Sequence, residues 1–219
     1  MPLLIIRKLD AHTWLGIWQL QEPAADLLQL LPPCIDGRVL GGKVHPRRQQ
    51  EWLASRVLVY QLLQHFTPEP LVLARNEDGK PHFPDRPQLH VSITHSPHLA
   101  AVILSEQHQV GIDIELISPK ALRVADKFLT EKEKQCTTDD EEITCLYWSA
   151  KETLYKLYSR KKLVFKDNLS VEPAQEPNVL QGRVQIENFS KLYQIRYEVL
   201  QEHVLTYCID NLTKPDNKP

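Results

Sequence analysis

The stretch Val110-Gly111-Ile112-Asp113-Ile114-Glu115 constrains the fold more than any other part of the chain. Its alternation is that of a β-strand, with Val110, Ile112 and Ile114 on one face and Gly111, Asp113 and Glu115 on the other. The apolar face predicts a core contact, and the other carries two carboxylates beside a glycine. Carboxylates that close repel, and each titrates upward unless a cation neutralises the pair; a hard divalent ion, Mg2+ first, is the natural partner. Taken alone, an Asp-x-Glu of this kind is ordinarily a strand end whose acids face water.

Around this strand, the 219 residues have room for one large domain or two small ones, and a composition of 42% hydrophobic and 25% charged residues is that of a globular protein. A formal net charge of -2 argues against a protein that holds nucleic acid by neutralising phosphates. No apolar run approaches the roughly 20 residues that span a bilayer. The start, Met1 to Arg7, lacks the basic residues and long apolar stretch of a secretion signal. Cys34, Cys136, Cys145 and Cys208 form no Cys-x-x-Cys pair, so neither a zinc knuckle nor a disulfide framework is indicated. The expectation is a soluble cytoplasmic protein with reduced thiols and no membrane or nucleic-acid partner.

Along the chain, Leu3 to Arg7 and Trp14 to Leu20 read as a strand hairpin, and Asp26 to Leu31 as a short helix stopped by Pro32-Pro33. Asp36 to His45 reads as a loop. From Pro46 to His65, Trp52, Leu53, Val57, Tyr60 and Leu63 recur at helical intervals, with Pro46 suited to the first turn. Arg47, Arg48 and Arg56 on that helix have the plain reading of solvated charge. Leu71 to Arg75 predicts a strand, and Asn76-Glu77-Asp78-Gly79 a turn that puts Lys80 at an exposed tip. Leu89 to Thr94 and Leu99 to Leu104 predict two further strands, which with the acid strand suggest a three-strand antiparallel meander. His95 and His98 join the first two; they lack a third ligand at metal spacing, and a loop histidine that donates to an anion fits better.

Downstream, Ala121 to Leu129 reads as helical and Thr130-Glu131-Lys132-Glu133 as a capping box. A long helix runs from Asp139 to Ser159, acidic at its start and followed by Arg160, Lys161 and Lys162, as the helix dipole favours. Val164 to Val171, Val179 to Glu187, Leu192 to Leu200 and Val204 to Asp210 read as strands, and Lys214 to Pro219 as a frayed tail.

That long helix contains Trp148-Ser149-Ala150-Lys151-Glu152-Thr153-Leu154-Tyr155-Lys156, with Glu152 and Lys156 one turn apart on one face. Alone, the pair is a surface ion pair. The acid strand precedes it by enough chain for a helical excursion and a return, so a third carboxylate can meet the first two. Three carboxylates with a neighbouring ammonium suit Mg2+ carrying a phosphate ester, and phosphoryl-type transfer follows as the reaction class.

In order and spacing, these segments resemble the 4'-phosphopantetheinyl transferases, in particular the larger subfamily that modifies carrier proteins of peptide and polyketide synthesis. The family signature Gly-x-Asp-x-Glu is matched by Gly111 to Glu115, and Trp-Ser-x-Lys-Glu-x-x-x-Lys by Trp148 to Lys156. Gly79-Lys80-Pro81 and Ser92-Ile93-Thr94-His95-Ser96 extend the similarity, which spans about residues 40 to 171. The family's glycines after the second motif are replaced by Ser159-Arg160-Lys161-Lys162-Leu163.

The resemblance implies an α+β fold of two similar halves related by a pseudo-twofold, with the active site between them. Residues 1–105 would form the half that grips coenzyme A, and 106–219 the half with the Mg-binding acids and the catalytic helix. It implies transfer of phosphopantetheine from coenzyme A to a serine of an apo acyl or peptidyl carrier protein by a monomer. Asp113, Glu115 and Glu152 would bind Mg2+, with Asp113, Glu152 and Lys156 catalytic. Arg47, Arg75, Lys80, Ser92, His95 and Lys156 would contact coenzyme A, and Lys161 and Lys162 would help to dock an acidic carrier. Two other classes gather similar residues: a non-catalytic binder of carrier protein or coenzyme A, and a Mg-dependent nuclease, whose usual Glu-x-Lys is absent because Leu116-Ile117 follow Glu115.

Overall fold

The structure, a computed structural model, describes residues 3–33, 35, 44–159 and 163–211. Most of the loop expected from Asp36 to His45, together with Cys34, Arg160, Lys161, Lys162 and the tail from Lys214, lies outside the described residues. The chain divides into two units, Met1–His108 and Gln109–Pro219.

The first unit contains strands β1 (Leu3–Lys8) and β2 (Thr13–Gln19), helices α1 (Ala24–Leu30) and α2 (Pro46–Leu63), and strands β3 (Ala74–Arg75), β4 (Pro81–His82), β5 (His90–His95) and β6 (Leu99–Ser105). The strands form one antiparallel sheet in the order β1-β2-β6-β5-β4-β3. α2 starts as its sequence predicts: His45 caps it by accepting from the Arg47 backbone N–H, and Pro46 fills the first position, where a missing N–H costs nothing. Its Leu53, Val57, Leu58 and Leu62 pack with Trp18, Val91, Val102 and Leu104 of the sheet.

Two expectations for this region are corrected. Leu71 to Arg75 pairs as a strand only at Ala74 and Arg75, because its partner is the short Pro81–His82 segment, whose proline has no N–H to donate. The Leu71 carbonyl instead accepts from the Tyr60 hydroxyl at 3.0 Å, and Leu71 and Leu73 pack on the core. The meander also stops at two strands: β6 is flanked by β2 and β5, so no edge is left for the acid strand, which joins the other sheet.

The second unit opens with that acid strand, β7 (Gln109–Leu116). It continues through α3 (Lys120–Arg123), α4 (Ala125–Phe128), α5 (Glu131–Thr137), α6 (Glu141–Tyr158) and α7 (Phe165–Asn168) to β8 (Leu169–Pro173), β9 (Val179–Ile186), β10 (Phe189–Leu200) and β11 (His203–Asp210). The antiparallel order is β7-β11-β10-β9-β8, so the first strand of the unit pairs with the last. The capping box forms, with Thr130 Oγ1 accepting from Glu133 N and Glu133 Oε2 from Thr130 N, and Asp140 caps α6 by accepting from Ile143 N at 2.9 Å. Val164 to Val171 is not one strand: Asn168 Oδ1 accepts from Val164 N at 2.8 Å and closes a helical turn, so pairing begins at Leu169. Each unit is thus an antiparallel sheet carrying an 18-residue helix, the α+β class expected.

Candidate active site

The site is built on β7 and α6. Gly111 sits where the helix backbone comes closest to the strand: a Cβ there would stand 2.5 Å from the Thr153 carbonyl oxygen and 3.3 Å from the Leu157 Cβ. Only glycine permits that approach. By alternation Asp113 and Glu115 share this face, while Val110, Ile112 and Ile114 are buried on the opposite one. The acids therefore lie under a helix, not on a solvent face, with Asp113 buried and Glu115 half-buried.

From α6, Trp148, Glu152 and Lys156 follow at one-turn intervals along one face. Trp148 Nε1 donates to Glu115 Oε1 at 2.9 Å, and Lys156 Nζ donates to Asp113 Oδ1 at 2.7 Å and to the Ile112 carbonyl at 3.1 Å. On β11, Thr206 stands opposite Asp113; its hydroxyl lies 2.7 Å from Thr153 Oγ1 and 2.9 Å from Ser149 Oγ. These contacts fix the helix in height and rotation above the two strands. An apolar pocket of about 400 Å3, with Leu116, Val124, Phe128, Trp148 and Phe165 in its walls, opens beside Glu115.

Electrostatics ties the three acids together. Burial, then the Asp113 charge, pushes Glu152 up to about 7, against the opposing pull of Lys156. Glu115 is raised by the same two causes, and the Trp148 hydrogen bond, Lys120 and Lys156 act in the other direction. Among the described residues, no three His, Cys, Asp or Glu side chains converge as ligands of one ion, for Asp113 is turned to Lys156 and Glu115 to Trp148. The donor set still fits Mg2+ in kind: its oxygens are hard, and the raised carboxyls of Glu115 and Glu152 are what a divalent cation relieves. Binding an ion competes with the two hydrogen bonds.

Sequence reasoning assigned no role to Lys151, which is fully buried beside the site. Its Nζ donates to Glu133 Oε2 at 2.8 Å and to the carbonyls of Phe128 and Phe165 at 2.6 and 3.4 Å. Glu133 in turn accepts from Thr130 N at 2.7 Å and Val171 N at 2.9 Å. One ion pair thereby links α6, next to Glu152, with α4, α5, α7 and β8. The signal available in the sequence was the Lys of the Trp-Ser-x-Lys-Glu signature, which falls on Lys151.

In the first unit, the residues expected to contact coenzyme A fall into separate groups. Arg47 and His95 meet at Glu51, at 3.4 and 3.5 Å. Arg75 lies within electrostatic reach of Arg56, which is not solvated charge: it is buried, its guanidinium is 4.4 Å from the Trp52 ring, and burial followed by Arg75 pulls its pKa down to about 10. Its one-turn spacing from Trp52 was the available clue. Lys80 is not at an exposed tip; Gly79, at φ 84°, turns the chain so that Lys80 N donates to Asn76 Oδ1 at 2.8 Å, and the half-buried ammonium is lowered by burial. Ser92 is buried on the face of β5 opposite to His95.

Paired strand acids facing a helix Glu and Lys are, in kind, a donor set that suits phosphate esters together with a hard metal ion. Comparison with known proteins narrows it. Residues 109–208 match the 4'-phosphopantetheinyl transferase superfamily, and residues 39–105 match the 4'-phosphopantetheinyl transferase N-terminal domain. The chain is similar to the 4'-phosphopantetheinyl transferase Sfp of Bacillus subtilis (strain 168), 30% identical over 149 residues, which cover 64% of each chain. It is similar also to the 4'-phosphopantetheinyl transferase AcpT of Escherichia coli (strain K12), 28% identical over 171 residues, 73% of this chain and 80% of that one. The match thus spans a little under two thirds of Sfp and four fifths of AcpT. This chain belongs to the 4'-phosphopantetheinyl transferase superfamily.

Proposed function

We propose that the chain transfers 4'-phosphopantetheine from coenzyme A to a serine hydroxyl of an apo acyl or peptidyl carrier protein and releases 3',5'-ADP. The observation that carries this reading is the cluster of Asp113, Glu115 and Glu152 with Lys156, in which the Asp113 charge helps to raise both glutamates and the Lys156 ammonium donates to Asp113 at 2.7 Å. Family membership supports it, since Sfp and AcpT are both named 4'-phosphopantetheinyl transferases.

In this reading the serine oxygen attacks the β-phosphate of coenzyme A, the bond to the 3',5'-ADP oxygen breaks, and no covalent enzyme intermediate forms. Asp113, Glu115 and Glu152 hold Mg2+, which when bound neutralises pyrophosphate charge. Glu152 takes the serine proton, directly or through water. Lys156 stabilises charge that builds on the phosphate oxygens. His95 contacts a phosphate, Arg47 and Arg75 grip the 3'-phosphate region, and Lys80 lies near the nucleotide. The apolar pocket beside Glu115 offers the uncharged pantetheine arm a wall next to the acids.

The assignment of coenzyme grips to residues 1–105 and of acids and catalytic helix to 106–219 belongs to this proposal, as do a monomeric state and a cytoplasmic location. No helix among the described residues is long and apolar enough to cross a membrane. The test is mass spectrometry of apo carrier protein incubated with the chain, coenzyme A and Mg2+. A gain of one phosphopantetheine that disappears with Glu152→Gln or without metal is the expected result; no gain on acyl or peptidyl carriers, with coenzyme still bound, would overturn transfer in favour of a non-catalytic binder.

A further inference from the structure

We infer that Glu51 is a positioning residue for coenzyme binding, whose carboxylate holds His95 and Arg47 in the pose that receives phosphate. The inference rests on the phosphate roles proposed above for those two residues. Glu51 lies one helical turn beyond Arg47 on α2; its Oε1 is 3.4 Å from Arg47 Nε and its Oε2 is 3.5 Å from His95 Nδ1, at the end of β5. Arg47 Nη2 also donates to the Pro97 carbonyl at 2.9 Å, in the turn that follows His95. One carboxylate therefore cross-links an arginine and a histidine that come from different elements.

The exposures give the arrangement its direction. The Glu51 side chain is 14% exposed, whereas those of Arg47 and His95 are 51% and 49% exposed. An anion arriving from solvent meets Arg47 and His95 before the less exposed carboxylate. With Nδ1 turned to Glu51, Nε2 is the ring nitrogen on the side away from the carboxylate, placed to meet a phosphate oxygen. Carboxylates orient metal-binding histidines from behind in the same way. A held arginine also loses less rotamer freedom when it binds, which strengthens the complex without any new contact.

The test compares Glu51→Ala, Glu51→Gln, His95→Ala and the double variant Glu51→Ala/His95→Ala, with coenzyme A affinity measured by calorimetry, kcat at saturating coenzyme, and the ring nitrogen signals of His95 by 15N NMR. Glu51→Ala is expected to weaken coenzyme binding about tenfold, to leave kcat within about twofold, and to shift the His95 Nδ1 signal. Glu51→Gln, which keeps an acceptor without the charge, should lie between. In the His95→Ala background, Glu51→Ala should cost clearly less, because the groups are coupled. Weakened binding by His95→Ala with normal binding and an unshifted ring in Glu51→Ala would overturn this inference alone. Normal coenzyme binding by His95→Ala would overturn the phosphate role of His95 and this inference with it.

Discussion

Lys151 Nζ and Glu133 Oε2 are 2.8 Å apart in a place closed to water, and the carbonyls of Phe128 and Phe165 and the N–H groups of Thr130 and Val171 join the pair to other elements. The pair is a structural joint behind the face of α6 that carries Glu152 and Lys156. Burial lowers Lys151, and the Glu133 carboxylate holds it charged.

Removing one side of the joint strands the other. Lys151→Met is expected to cost about 3–5 kcal/mol, because Glu133 keeps its charge in the interior while the Phe128 carbonyl loses its donor. Glu133→Gln combined with Lys151→Met should recover part of that loss, since no uncompensated charge then remains. Urea unfolding of the single and double variants checks this; a single variant within about 1 kcal/mol of the parent would show that the pair is not a joint.

Gly111 predicts a different failure. An added methyl would meet the Thr153 carbonyl at 2.5 Å, and a helix backbone has no rotamer with which to yield. Gly111→Ala should destabilise the protein by about 1–3 kcal/mol and lift α6 from β7, which separates Lys156 from Asp113. Thermal unfolding and turnover should therefore fall together. Full activity with an unchanged melting temperature would mean that the helix does not need this contact.

The proposed metal ligands and coenzyme grips should separate kinetically. Asp113→Ala removes the carboxylate that receives Lys156 and should lower kcat by about 100-fold or more. Arg47→Ala, half exposed and outside the acid cluster, should raise KM for coenzyme A about tenfold with kcat nearly preserved. Steady-state kinetics on one carrier protein distinguishes the two, and full turnover by Asp113→Ala would refute the metal reading.

Residues that act through local periodicity were legible in the sequence. Alternation placed Asp113 and Glu115 on one strand face, one-turn spacing placed Glu152 and Lys156 on one helix face, and Thr130 with Glu133 announced a capping box. What was hidden depends on contacts between elements distant in the chain. Glu133 serves its own helix cap and also Lys151, eighteen positions further on, which no periodicity encodes. The pairing of β7 with β11 instead of β6 follows from the edges left in each sheet, and Asn168 makes α7 with a side-chain bond that competes with strand pairing. Arg56 looked like surface charge because its spacing from Trp52 says nothing about the chain that covers both.

Glu152 links the site to stability in a direction set by its pKa. Burial and the neighbouring Asp113 raise its carboxyl from 4.5 to about 7 in the folded chain without metal. Between those values the folded state binds more protons than the unfolded state, so the contribution is fully present below about pH 4.5 and is lost as pH rises through about 7. The difference corresponds to at most about 3 kcal/mol. Unfolding free energy measured in chelator should fall across this window by more in the parent than in Glu152→Gln, which has no proton to lose. Adding Mg2+ should flatten the parent's slope, because an ion that binds the carboxylate favours its charged form. Equal slopes for parent and Glu152→Gln in chelator would show that Glu152 is not the group titrating there; a parent slope indifferent to Mg2+ would remove Glu152 from the metal ligands while leaving its burial intact.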